Sequence, residues 1–173
     1  MKLVIKRILA FFIDYLVGVV YALLLYIVSI SFFDSNELNE NVSYDPVLGQ
    51  LIGFFSLTLP VFLYSFLTEN SNWRSTLGKK LQKLIVESHT VNRFEAILKR
   101  NILKYLPWEI AHTGIHWLFY FDSINAQTPT WVWLLLILPQ VTIIFYMAGI
   151  LVKHGKQSLY DIIAKTKIAY SPV

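Results

Sequence analysis

Cysteine is absent from the 173 residues, which excludes a disulfide-built scaffold and every form of thiol chemistry. Charge is scarce as well, at 15% of residues against about 25% in an ordinary soluble domain. The deficit falls in long uncharged blocks, and 55% of the residues are apolar, so the surplus apolar surface is expected to meet lipid and not a buried core. That apolar content also excludes a disordered chain. A nucleophile elbow and a phosphate loop are missing too. In Ser75-Thr76-Leu77-Gly78-Lys79-Lys80 the position five before Gly78 is Trp73, and no Ser or Thr follows Lys79, so Walker-type nucleotide binding is rejected. No nucleic-acid motif, internal repeat or low-complexity tract is visible. The expectation is a single membrane domain over 1–173, without enzymatic activity or an organic cofactor.

What is present is a set of apolar runs. Residues 8–33 are apolar apart from Asp14, Ser29 and Ser31; residues 47–67 hold no ionisable group and are broken only by the small or kinking Gly49, Gly53 and Pro60. Residues 131–152 are equally clean, with Trp131 and Trp133 at one end and Lys153 beyond the other as interface anchors. Each run reaches the roughly 20 residues that a hydrocarbon core requires. The stretch 102–121 is punctuated by Lys104, Glu109, His112 and His116; it is read as a further span, its rival being an amphipathic helix lying in the interface. The charge map weighs for the span. With four crossings, segments 1–7, 68–104 and 153–173 share one side and hold all 15 Lys and Arg, while the opposite loops, 34–46 and 122–130, hold Asp34, Glu37, Glu40, Asp45, Asp122 and no base. The positive-inside rule then places both termini in the cytoplasm, at the inner membrane of the cell.

The expected fold class is therefore an all-α membrane protein, a four-transmembrane-helix bundle with short amphipathic segments in the cytoplasmic region 68–101. In that region a turn is expected at Asn70-Ser71-Asn72, an extended or short helical piece around 81–86, and a helix from about Phe94 feeding the third span. The net charge of +4 reads as topology plus attraction to anionic head groups, not as nucleic-acid binding. Asn41-Val42-Ser43 has the spacing of a glycosylation acceptor, a pattern too common by chance to carry weight.

Three places carry chemistry. Arg7 and Asp14 stand seven apart, two helical turns, and share a face with Ala10 between them. A carboxylate inside a membrane helix costs a few kcal/mol unless it is paired, protonated or wet, so Asp14 is expected to face protein. It serves either as a cation or proton site or as an anchor for a base from another segment. Glu109, His112 and His116 fall within one helical stripe, which suits a proton relay, a metal of the zinc or iron type completed by Asp14, Glu69, His89 or a second subunit, or plain interhelical hydrogen bonds. Third, Leu159, Ile162 and Ile163 form one side of a short surface helix whose Asp161 is free to meet a cytoplasmic base.

These pieces, in their order, resemble the RDD family of bacterial membrane proteins, named for one arginine and two aspartates. The resemblance runs from Arg7 to Thr166: Arg7 through Asp14 at the start, Thr76-Leu77-Gly78-Lys79 followed by Leu84-Ile85-Val86, and Lys156-Gln157-Ser158-Leu159-Tyr160-Asp161 through Ala164 and Thr166. Two positions depart from it, Lys156 where an Arg is common and Tyr160 where a His is common. The resemblance implies Arg7, Asp14 and Asp161 as the named trio, with Thr76, Gly78, Lys79, Gln157 and Thr166 as motif residues, and it implies transport, since some members are associated with sodium/proton exchange.

Three functions are weighed. The first is a transporter of a small cation or solute coupled to protons, working as a homo-oligomer because four short helices enclose little; Gly18, Ala22, Gly49, Gly53 and Gly149 permit close helix contacts. The second is a scaffold or assembly partner held by an Arg-Asp-Asp network, and the third a metal-dependent membrane enzyme built on Glu109, His112 and His116.

Overall fold

The computed structural model describes residues 1–32 and 45–172. Asp34, Glu37, Glu40 and the Asn41-Val42-Ser43 triplet lie outside the described residues. The chain opens with α1 (Lys2–Phe32), a 31-residue helix that at 1.5 Å per residue is about 46 Å long. It is apolar all round, and its buried side chains, Arg7 and Ala10, sit near its first turns. Such a helix fits lipid and not a soluble core.

The second rod runs over Pro46–Asn70 in three parts: α2 (Pro46–Gly53), a π-helical turn over Phe54–Thr58, and α3 (Leu59–Asn70). It starts cleanly because Asp45 accepts from the N–H of Val47 (2.8 Å) and Leu48 (3.2 Å), while Pro46 occupies a position where no N–H is needed. The π turn precedes Pro60, which has no N–H to offer the carbonyl of Ser56 four residues back. Tyr21 of α1 supplies the missing donor, its hydroxyl lying 2.8 Å from that carbonyl.

Next come α4 (Leu77–Leu81) and β1 (Leu84–Ser88), then α5 (Arg93–Ser123), a second 31-residue helix, capped by Asn92, which accepts from the Glu95 N–H at 3.2 Å. α6 (Thr130–Val152) returns beside it. The two run antiparallel over their whole common length: Tyr146 reaches Leu103 at one end, a Cβ on Gly114 would touch Leu136 in the middle, and the Trp131 ring lies against Trp117 and Phe121 at the other. Lys2–Ser31, Pro46–Asn70 and Thr130–Val152 are the described helices both long and apolar enough to cross a membrane. They coincide with the expected spans 8–33, 47–67 and 131–152. α5 also contains 102–121, but its first turns carry charge.

The chain continues with α7 (Leu159–Ile163) and β2 (Thr166–Tyr170). β1 and β2 pair antiparallel, Leu84 opposite Tyr170 and Ser88 opposite Thr166, which corrects the all-helical expectation. The two strands are entered in the same way, each from a short helix. In both units a five-residue helix is ended by a lysine in the left-handed region, Lys83 (φ 56°) and Lys165 (φ 53°), and followed at once by a five-residue strand. Among the described residues the strands pair with each other alone; β1 falls where an extended or short helical piece was expected around 81–86, whereas β2 was not anticipated. Their inward residues Leu84, Val86 and Ile168 join Ala10, Phe66 and Ile97 in a small core that closes the basic end of the bundle.

Candidate functional site

Asp14 does not pair with Arg7. Its carboxylate accepts from the Thr76 hydroxyl (2.5 Å) and the Gly78 N–H (2.8 Å), with the Lys79 ammonium at 3.8 Å. The first turn of a helix leaves N–H groups without partners. Thr76, the residue before α4, makes no side-chain cap: its hydroxyl donates to Asp14 and accepts from Lys79 instead. Asp14 takes over the Gly78 N–H, and the Tyr64 hydroxyl accepts from Leu77 at 2.9 Å. Glycine is required at 78, since a Cβ there would run into the backbone carbonyl of Ala10 and the Asp14 carboxyl.

From Lys79 the network continues inward. The ammonium donates to Thr76 (3.0 Å) and to one oxygen of Glu69 (2.9 Å). The other Glu69 oxygen accepts from Arg100 (2.7 Å) and from the Asn101 amide (3.0 Å). Arg100 then turns its Nε to Asp161 at 2.8 Å, and the second Asp161 oxygen accepts from Arg7 (2.5 Å) and from the Ser158 N–H (2.9 Å). Arg7 also donates to the Gly155 carbonyl and the Tyr160 hydroxyl, both at 3.0 Å. Gln157 donates to the Thr166 carbonyl at 2.8 Å, and the Thr166 hydroxyl donates to Asp161 at 3.2 Å.

Arg7, Lys79 and Arg100 thus face Asp14, Glu69 and Asp161, three cations against three anions. Glu69 and Asp161 are fully buried and Arg100 is 1% exposed. Stripping water from such ions costs several kcal/mol each, recovered only when every partner is present, and here each carboxylate oxygen has one. Burial alone would push the Asp161 carboxyl up, but the Arg100 and Arg7 guanidinium groups outweigh it and hold it below the ordinary range. Burial likewise works against the Arg100 cation, and Glu69 and Asp161 overcome it, raising Arg100 above its usual value.

The RDD family model matches residues 2–165, nearly the whole chain. The chain belongs to the RDD family. No curated protein and no solved structure matches it. In this RDD protein the named trio is divided: Arg7 and Asp161 form one pair, and Asp14 belongs to a second cluster. Lys79, Glu69 and Arg100 bridge the two. Glu69 and Arg100, the centre of the network, were not singled out from the sequence as a pair. Glu69 stands just past an apolar run, and Arg100 lies among other bases, so nothing local distinguishes either one. Arg93 reinforces the same corner, donating to the carbonyls of Val86 (3.1 Å) and Glu69 (2.5 Å).

Further along α5 this RDD protein carries the predicted stripe. Gln50 of α2 donates its amide to Glu109, while the ring nitrogens of His112 and His116 face each other at 3.2 Å. Trp108 stacks on His112 with centroids 6.2 Å apart. Gly53 admits the imidazole, since a Cβ there would collide with it. Glu109 therefore turns to α2 and the histidines to each other. Among the described residues no three His, Asp or Glu groups assemble as metal ligands, so the metal alternative for this stripe finds no three-ligand arrangement there. Gln50 Oε1, Glu109 Oε2 and His112 Nδ1 remain buried without a hydrogen-bond partner.

Proposed function

We propose that this protein is a non-enzymatic four-span transporter of a small cation or solute, exchanged against protons, with both termini in the cytoplasm at the inner membrane and a homo-oligomer as the working unit. The observation that carries the reading is the group of unpartnered polar atoms on Gln50, Glu109 and His112. Ionisable groups within membrane helices are costly to keep, and by default they mark a pathway for ions or protons. The ion-pair network closes the basic end of the bundle beneath them.

A fourth crossing is supported by the antiparallel pairing of α5 with α6. Leu103 to Phe121 covers about 27 Å of helix and keeps contact with α6 from Tyr146 to Trp131. A helix lying flat in the interface would diverge from α6 instead. The positive-inside count supports the orientation.

Proteoliposomes test this reading. Sodium- or potassium-driven proton movement is expected from wild type and is expected to vanish in Glu109→Gln while the variant keeps its wild-type thermal midpoint. A folded wild type that moves no protons under any cation gradient removes the proposal. The closed three-against-three network favours a second reading, an assembly partner that presents the sheet at the bundle end. In that case Asp14→Asn and Arg7→Ala lose stability nonadditively and no flux is seen.

A further inference from the structure

A cavity of about 360 Å³ opens beside the sheet, lined by Trp73, Ser75, Lys80, Lys83 and Ser171 among others. Its size falls within the roughly 300–1,000 Å³ typical of ligand sites. No acid lines it, and among the described residues neither Lys80 nor Lys83 has a carboxylate within ion-pairing distance. The Lys80 ammonium lies 3.4 Å above the Trp73 ring, so the indole holds it in place without neutralising it.

The walls are fixed from three directions. Ser75 donates to the Trp73 carbonyl at 3.0 Å, Arg74 accepts from the Val86 N–H at 2.7 Å, and the Lys83 carbonyl accepts from the Ser171 N–H at 2.9 Å. Arg74 (φ 53°) and Lys83 (φ 56°) both hold left-handed backbone at the rim. Such conformations are unfavourable for residues other than glycine and persist where the surroundings impose them.

The depth of the cavity follows from α4. Gly78 packs on Ala10 and Asp14, residues in the opening turns of the first apolar helix. The cavity therefore sits level with the start of that span, and the exposed Leu77, Leu81 and Trp73 beside it form an apolar lip.

We infer that this cavity binds a phosphate group, with the Lys80 and Lys83 ammonium groups supplying charge and hydrogen-bond donors between walls held by Ser75 and Ser171, and that the source is an anionic phospholipid whose acyl chains leave over Leu77 and Leu81. It does not depend on the transport reading. A soluble phosphate ester offers the same chemistry without the chains, and the two sources separate by experiment.

The full chain is placed in nanodiscs of phosphatidylcholine and phosphatidylglycerol at four to one, and the lipid retained on release is counted by native mass spectrometry. Lys80→Gln with Lys83→Gln is compared with Lys99→Gln and Lys153→Gln, which remove the same charge elsewhere on the basic face. The first pair is expected to lower phosphatidylglycerol retention at least about tenfold, in keeping with the attraction each surface lysine exerts, and the second pair to leave it unchanged. In discs of phosphatidylcholine alone, inorganic phosphate is the probe for the soluble source. A thermal shift in wild type that is absent from Lys80→Gln/Lys83→Gln assigns the site to soluble phosphate, keeping the phosphate cavity and overturning its lipid source. Equal retention in both double variants, without a phosphate response, overturns the cavity altogether. Should the first pair fail to fold, Ser171→Asp, which puts a repelling charge on the rim, is expected to produce the same loss of retention, and unchanged retention in it overturns the inference.

Discussion

The hydroxyl of Tyr146 donates to the carbonyl of Leu103 across 2.9 Å, and that carbonyl is the one Pro107 cannot serve. Tyr21 does the same for Ser56 opposite Pro60. In water a freed carbonyl finds a solvent partner; in lipid it must find one in the protein.

Tyr146→Phe is therefore expected to destabilise the protein by about 1–3 kcal/mol, the cost of leaving a buried acceptor unmade. Pro107→Ala restores the N–H and with it the intrahelical bond. In a double-mutant cycle it should recover stability in the Tyr146→Phe background while doing little in wild type, a coupling of about 1 kcal/mol. Thermal unfolding of the detergent-solubilised protein reads both. Additive effects would mean that the tyrosine acts through packing alone.

Acid should unfold the protein through Asp161 in part. Its folded carboxyl titrates below the ordinary 3.8 because Arg100 and Arg7 outweigh burial. The folded state thus releases that proton more readily than the unfolded chain, so the stabilisation is complete above the ordinary value and is lost as pH falls through the lower folded value. Asp161→Asn is expected to cost about 3–5 kcal/mol at neutral pH, because two guanidinium groups lose their anion, and to flatten the decline in thermal midpoint below about pH 4. An acid limb identical to that of wild type would show that other carboxylates carry it.

Two glycines near the N-terminal helix should answer oppositely to alanine. At Gly78 the new methyl meets the Ala10 backbone, which has no room to retreat, and a loss of about 1–3 kcal/mol is expected from overpacking. At Gly18 nothing lies within 4 Å, and Gly18→Ala should be neutral or raise stability by up to about 1 kcal/mol through helix propensity. A destabilising Gly18→Ala would indicate a partner helix against that face of α1.

How much of this was legible beforehand differs from residue to residue. The spans at 8–33, 47–67 and 131–152 were readable because lipid imposes one local rule, an unbroken apolar run. That Asp14 faces protein followed from the cost of its charge, and that Asp161 meets bases, here Arg7 and Arg100, followed from their number around it. The shared face of Arg7 and Asp14 did not reveal that they answer to different partners, because the partners come from Thr76–Lys79 and from Arg100 and Asp161. Glu69–Arg100 joins positions 31 apart in the chain, and no spacing rule operates over that distance. The pairing of the strands, and β2 itself, were hidden for the same reason, although an extended piece around 81–86 was one of the readings made for the stretch that holds the start of β1. A five-residue strand whose only neighbour is roughly eighty residues away has no short-range pattern beyond a few β-branched residues.

The pairing of β1 with β2 also bears on the order of synthesis. β1 leaves the ribosome with one edge answered by the Arg74 carbonyl and the other bare, and the strand that pairs with the bare edge is translated roughly eighty residues later, about 4–16 s at ordinary elongation rates. Glu69 has Lys79 from the start and gains Arg100 early in that interval, whereas Arg7 waits longest, since its counter-ion Asp161 is the last of the six to appear. Nascent chains must therefore hold half a clasp at the membrane surface until the other half is made, which makes the late segment the step that commits the whole bundle to its final arrangement.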